Sequence, residues 1–257
     1  MFDQALLDYI RANAKQLFGN QFWEARFLYR VDLGSKPEKT ERRVMVLSKF
    51  RIFFISGKTS SKLHVENSYP LLAVTAVTLP NNNTEASLTI DNRRLFIRFV
   101  EENLSSQDFV IQLLTAFKHY YQNCDLHRYI DLSPSSLHSM YSQLPLAKPT
   151  LPCGGFRRTY ASLCDFYKFA FRDEIVWDIE KIYSLHHNTV LRLDDFSHLS
   201  SKDLIPLIAT LQFSSWFDGI ASETQKLPNE VIDVIMLVLK KSQRMKELKL
   251  KNCGLKK

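Results

Sequence analysis

Eight cations gather in three short stretches of the chain: Lys36, Lys39, Arg42 and Arg43; Lys58 and Lys62; Arg93 and Arg94. Each stretch adjoins a turn signal, Gly34-Ser35-Lys36-Pro37, Gly57 to Ser61 or Asp91-Asn92, which places the charges near hairpin tips. Cations so placed attract polyanions, and beside an anionic leaflet each Lys or Arg contributes roughly 1 kcal/mol in a salt-sensitive way. No clean Lys-x(n)-Lys/Arg-x-Arg arrangement spans the first two expected strands, which favours a charge-driven surface over a stereospecific phosphoinositide pocket. Residues 22–70 hold ten Lys/Arg against five Asp/Glu, net +5. Residues 226–257 hold nine against three, net +6, but Lys240, Lys241, Arg244, Lys246, Lys249, Lys251, Lys256 and Lys257 alternate with Leu248 and Leu250 as the solvated face of a strand would.

Nucleophile and metal chemistry find less support. Cys124, Cys153, Cys164 and Cys253 form no C-x-x-C pair, and no nucleophile signature surrounds Cys153 or Cys164. His186 and His187 are adjacent and point apart on any regular element, which is unsuited to a shared metal. The acid pairs Asp173-Glu174 and Asp194-Asp195 have no glycine-rich phosphate cradle beside them. No catalytic residue, cofactor or metal is expected, and the chain reads as a non-enzyme.

The elements that must position the cations follow from periodicity. The 257 residues carry a net charge of +7 with 45% hydrophobic and 24% charged residues, an ordinary globular balance. Residues 1–20 place Leu6, Leu7, Ile10, Ala14 and Leu17 on one helical stripe, stopped by Gly19-Asn20. From Phe22 to Val100 the period becomes two, giving about seven short strands punctuated by turns that include Asn67 to Pro70. Ser105-Ser106-Gln107-Asp108 is a capping-box pattern. The helix it opens carries Phe109, Val110, Leu113, Leu114, Phe117 and Tyr121 on one broad apolar face. Seven strands closed by one amphipathic helix, α+β, is the outline of a pleckstrin-homology-like barrel over residues 21–124, in which the three cationic turns share one open end. Phe117 is expected where such helices commonly carry a tryptophan. Residues 125–155, with Pro134, Pro145 and Pro149, read as an irregular linker.

The remainder, residues 156–257, carries a repeat. Met245-x-x-Leu248-x-Leu250-x-x-Cys253-x-Leu255 fits the leucine-rich-repeat consensus with Met for the first Leu. Phe217, Ile220, Ser222, Gln225 and Leu227 echo it 28 residues earlier, and Asn188, Leu191, Leu193 and Phe196 a further 29 earlier. Helical stretches lie between, Ser200 to Phe213 and Pro228 to Gln243, so the expected fold is α/β: an N-terminal cap and the first repeats of a ribonuclease-inhibitor-type solenoid. Pro206 should kink the first of these helices or delay its start. Trp177 and Trp216 are expected to pack between cap and repeats. Because a solenoid unit buries its edge only against neighbours, the chain is expected to be the N-terminal part of a longer array.

Several segments resemble the CARMIL family, the capping-protein, Arp-complex and myosin-I linkers. They are Cys153-Gly154-Gly155-Phe156, Tyr160 to Asp165, Arg172 to Asp178, Asp195 to Leu199 and Asp203 to Pro206. Gln212 to Phe217, Lys246-Glu247-Leu248 and Asn252 to Leu255 extend the likeness, and Val44 to Phe54 with Ser68-Tyr69 resemble strands of the same family's membrane-binding domain. The resemblance implies a peripheral membrane scaffold of the cytoplasm, cytoskeleton and leading-edge plasma membrane that relieves capping of actin filaments. It implies that actin capping protein is met only through a C-terminal segment outside this chain, and that the piece itself is monomeric. Anionic membrane lipids are the expected partner of the eight cations, with a protein partner open for the repeat face. The rival is a nucleic-acid-binding module using the Arg-aromatic run Lys49 to Phe54, which lacks the glycines of an RNA-recognition motif.

Overall fold

The computed structural model describes residues 4–19, 26–57, 62–100, 105–145 and 152–254. They divide into two compact units, residues 1–118 with 129–145 and residues 119–128 with 146–257.

In the first unit, α1 (Gln4–Ala12) and α2 (Ala14–Phe18) precede β1 (Phe27–Lys36), β2 (Lys39–Leu47), β3 (Arg51–Ser56), β4 (His64–Pro70), β5 (Val74–Thr78), β6 (Glu85–Ile90) and β7 (Arg93–Phe99). A sharp turn at Asp91-Asn92, both with positive φ, joins β6 to β7, as a two-residue hairpin of the right twist requires. With β8 (Asp131–Ser133) the strands make one sheet in the order β4-β3-β2-β1-β7-β6-β5-β8.

Helix α3 (Ser106–Tyr120) covers one face, where Tyr29, Phe99 and Phe109 pack ring to ring at 5.5–6.1 Å. Its capping box forms as expected: the Asp108 amide donates to Ser105 Oγ at 3.1 Å and the Ser105 amide to Asp108 Oδ2 at 3.1 Å. Phe117 is buried.

The opposite face of β2 and β3 is also covered, because Ile10, Ala14 and Phe18 pack on Val44, Val46, Phe53 and Ile55. Burial on both sides explains why Val44 to Leu47 and Ile52 to Ile55 are continuous apolar runs rather than alternating ones. The N-terminal helix is therefore part of this unit, and it breaks at Asn13 into two pieces.

Two expectations are corrected. Asn67 to Pro70 is not a turn but the end of β4, an edge strand that tolerates polar residues and a terminal proline because its outer side needs no partner. Residues 131–143, expected within an irregular linker, form β8, which pairs in parallel with β5, and α4 (Ser136–Gln143). A buried cation helps to hold this segment in place. Lys118, 8% exposed, donates to the carbonyls of Tyr141, Ser142 and Leu144 at 2.8, 3.1 and 2.6 Å and so caps the C-terminus of α4. Burial also lowers its pKa. Lys118→Met keeps the stem and deletes the donors. It is expected to destabilise this unit by about 1.5–3 kcal/mol and to speed amide exchange first in α4 and β8.

The second unit contains α5 (Phe156–Tyr167), α6 (Asp173–Trp177) running into a π-helical turn Asp178–Tyr183, β9 (Val190–Arg192), α7 (Ser201–Ala209), β10 (Gly219–Ser222), α8 (Asn229–Lys241) and β11 (Glu247–Leu250). The three strands are parallel in the order β11-β10-β9. Ile220 pairs with Leu191 on one side and with Leu248 on the other, so the residues singled out by the repeat stand side by side. Phe217 is fully buried below them, with Phe156 and Tyr183 at 6.3 and 5.9 Å.

Helix α7 begins at once after Ser200, whose Oγ accepts the Asp203 amide, and continues through Pro206. The delayed start is thus corrected: a good cap and a buried apolar face outweigh the bond that the proline removes. Trp177 is also corrected, being 57% exposed, whereas Trp216 donates its indole N–H to the Asn188 carbonyl at 2.7 Å. Of the second basic stretch, Lys246 and Lys249 face Asp218 and Glu247, the pattern of a solvated strand face.

Candidate functional site

The site is built by strand register. Lys36 pairs with Lys39 where β1 meets β2, Ser56 pairs with His64 where β3 meets β4, and Ile90 pairs with Arg93 where β6 meets β7. Since β1 and β7 run antiparallel from Val31–Phe99 to Gly34–Phe96, the strand ends bearing Lys36 and Arg94 leave the sheet together. All three cationic turns therefore lie at one end of the strands. Gly34 makes the first turn feasible, because a Cβ there would stand 2.1 Å from the Lys39 carbonyl oxygen.

The eight expected residues do not act alike. Arg42 donates Nε to Asp32 Oδ1 at 2.6 Å, directly across the β1–β2 ladder. Arg43, with a side chain 15% exposed, is gripped by Glu66 through Nε at 2.5 Å and Nη2 at 3.2 Å, and by Glu41 at 2.6 Å. Its hydrogen bond holds the Glu66 carboxyl below the usual range despite some burial, and the same bond raises the pKa of Arg43. These two arginines are internal braces, neutralised before any partner arrives. Arg94 spends Nε and Nη2 on Ser87 Oγ at 3.1 and 3.0 Å and lies over the Phe96 ring. Lys36, Lys39, Lys62 and Arg93 are exposed. No ion pair to them is found among the described residues, and Lys58 lies outside those residues. Asp32, Glu41 and Glu66, which decide which cations remain available, were missed from sequence; the hairpin register that sets Asp32 opposite Arg42 is the signal that could have found them.

The chain matches the Carmil pleckstrin homology domain over residues 25–122. The rat "Capping protein, Arp2/3 and myosin-I linker protein 3" is 30% identical over 233 residues, covering 89% of this chain and 17% of that protein. This chain belongs to the CARMIL family. "Protein CARMIL" of Dictyostelium discoideum is 25% identical over 227 residues, covering 86% of this chain and 21% of that protein. Among solved structures, the C-terminal PH domain of human FYVE, RhoGEF and PH domain containing protein 3 is matched at 12% identity with a TM-score of 0.29, over 36% of this chain and 87% of that one. This CARMIL-family chain spans about a fifth of its relatives' length. No helix among the described residues is long and apolar enough to cross a membrane.

Three of the four cysteines, Cys153, Cys164 and Cys253, are buried, and Cys124 is part-exposed. Burial pushes the Cys124 and Cys164 thiols up to about 12 and Cys153 to about 11. Cys164 and Cys253 are buried, and Cys253 Sγ donates to the Lys251 carbonyl at 3.2 Å. Cys153, Cys164 and Cys253 are expected to be silent to Ellman's reagent in the native protein and to react fully in denaturant. Because the folded thiols of Cys124, Cys153 and Cys164 titrate above the ordinary value of 9.0, the folded state holds more protons between the two. Their contribution to stability is complete below about pH 9 and is lost as pH rises toward 12, readable as a falling urea midpoint.

Proposed function

We propose that Lys36, Lys39, Lys62 and Arg93, with Lys58, bind this CARMIL-family chain to anionic membrane, and that the second unit begins a leucine-rich-repeat solenoid mounted on that anchor. The observation that carries the first part is the convergence of three cationic turns at one end of the sheet, where four cations stand exposed while Arg42 and Arg43 are spent on carboxylates. Four such charges supply roughly 4 kcal/mol near an anionic leaflet, enough for reversible attachment without a fitted headgroup pocket. The repeat is supported by Leu191, Ile220 and Leu248 in lateral register on parallel strands, with a helix returning between each pair. Asp194 adds to it by accepting the Glu223 and Thr224 amides at 2.8 and 3.1 Å, tying the turn after one strand to the next.

In the whole protein this part holds an actin-regulating scaffold at the membrane, in keeping with relatives named for capping protein, Arp2/3 and myosin-I. Co-sedimentation with phosphatidylserine vesicles at low and high salt tests the anchor, with single-stranded RNA as the competing ligand. Pelleting that salt abolishes and RNA does not displace is the expected result. Tighter binding to RNA than to vesicles would contradict it.

A further inference from the structure

A small cleft of about 80 Å³ opens on the first unit away from the α3 face. Phe99 packs against Phe109 of α3, so strand alternation turns Arg94, Phe96 and Arg98 to the opposite face of β7. There the β1–β2 hairpin curls over, and Pro37 and Thr40 form one wall, Pro80 and Phe96 another.

The polar groups of the cleft are unbalanced toward positive charge. Glu85 is fully committed, accepting from Arg98 and from Asn82 Nδ2, each at 2.9 Å. Arg94 is held in place by Ser87 and by the Phe96 ring, yet Nη1 makes no hydrogen bond among the described residues. A fixed guanidinium with unspent donors beside an apolar slot selects a ligand with one apolar group and a neighbouring carboxylate. Lys36 and Lys39 on the adjoining hairpin extend the positive field beyond the slot.

We propose that this cleft docks an acidic peptide segment that inserts one apolar side chain between Pro37 and Phe96 and sets an adjacent carboxylate on Arg94. The slot is small enough to take a single side chain, and it opens on the sheet face while Lys36, Lys39, Lys62 and Arg93 stand near the strand ends. A peptide fits this shape and charge better than a bilayer.

Fluorescence anisotropy of the full chain with two labelled peptides of equal charge, Glu-Glu-Phe-Glu-Glu and Glu-Glu-Ala-Glu-Glu, tests it. The phenylalanine peptide should bind about tenfold or more tightly than the alanine one. Arg94→Gln should weaken it by about tenfold, and Thr40→Trp should remove the preference for phenylalanine by filling the slot. Circular dichroism identifies a variant that has lost its fold, and Arg94→Gln, at an exposed position, keeps the test decisive if Thr40→Trp does so. Equal affinity for the two peptides, or an unchanged affinity in folded Arg94→Gln, would overturn the proposal. So would phosphatidylserine vesicles binding through Arg94 and Thr40 when neither peptide binds.

Discussion

Replacing Lys36, Lys39, Lys62 and Arg93 together by glutamine is expected to lower partitioning onto phosphatidylserine vesicles by about three orders of magnitude at low salt. The figure follows from roughly 1 kcal/mol per charge and about 1.4 kcal/mol per factor of ten. It should shrink steeply as ionic strength rises, since exposed charges are screened within about 10 Å at 0.1 M salt. The informative comparison is the pair Asp32→Asn with Arg42→Gln, which removes a brace while keeping the charge sum. That double variant should bind vesicles within about twofold of the parent and lose stability on the order of 1 kcal/mol, as part-exposed ion pairs do. If the two sets of variants lose binding equally, the distinction between braces and free cations is wrong.

The largest expected effect on stability lies at Phe217. Its ring is wholly buried beneath β10 and bounded by Phe156 and Tyr183. Phe217→Ala removes those contacts and leaves a cavity that a parallel sheet backed by helices closes only in part, at a cost of about 3–5 kcal/mol. Amide exchange should accelerate in β9, β10, β11 and α5 while β1 to β7 keep their protection, because the ring neighbours of Phe217 all belong to the second unit. A loss below about 1 kcal/mol would mean that the ring is not packed as described.

Legibility from sequence followed the strength of local rules. The capping box at Ser105 and Asp108, the Asp91-Asn92 turn and the heptad-like stripe of α3 are short-range patterns, and each was readable because its chemistry lies within a few residues. Leu191, Ile220 and Leu248 were singled out by spacing alone, and they pair laterally on adjacent parallel strands. What escaped depended on partners distant in sequence. β4 reads as polar turn because edge strands need no apolar outer face, and α4 depends on Lys118, more than twenty residues earlier, to cap it.

Trp177 was assigned to the core by residue type alone, yet a π-helical turn begins just after it and it stands exposed. In the candidate site the cations were legible as a cluster, but not which of them carbonyl and carboxylate neighbours had already claimed. Arg43 and Glu66 lie twenty-three residues apart, joined only once β4 is placed beside β3 and β2.

An environment-sensitive fluorophore reports most directly on which end of the sheet meets the membrane. Single cysteines placed at Glu38, in the β1–β2 turn, and at Lys49, near the other end of β2, would carry it, the native thiols being largely buried. The two positions are separated by about 30 Å of strand. With phosphatidylserine vesicles at low salt, the probe at position 38 should shift to the blue and lose accessibility to an aqueous quencher, while the probe at 49 stays in water. A blue shift at 49 alone, or at neither position while the protein pellets with the vesicles, would contradict attachment through the cationic turns.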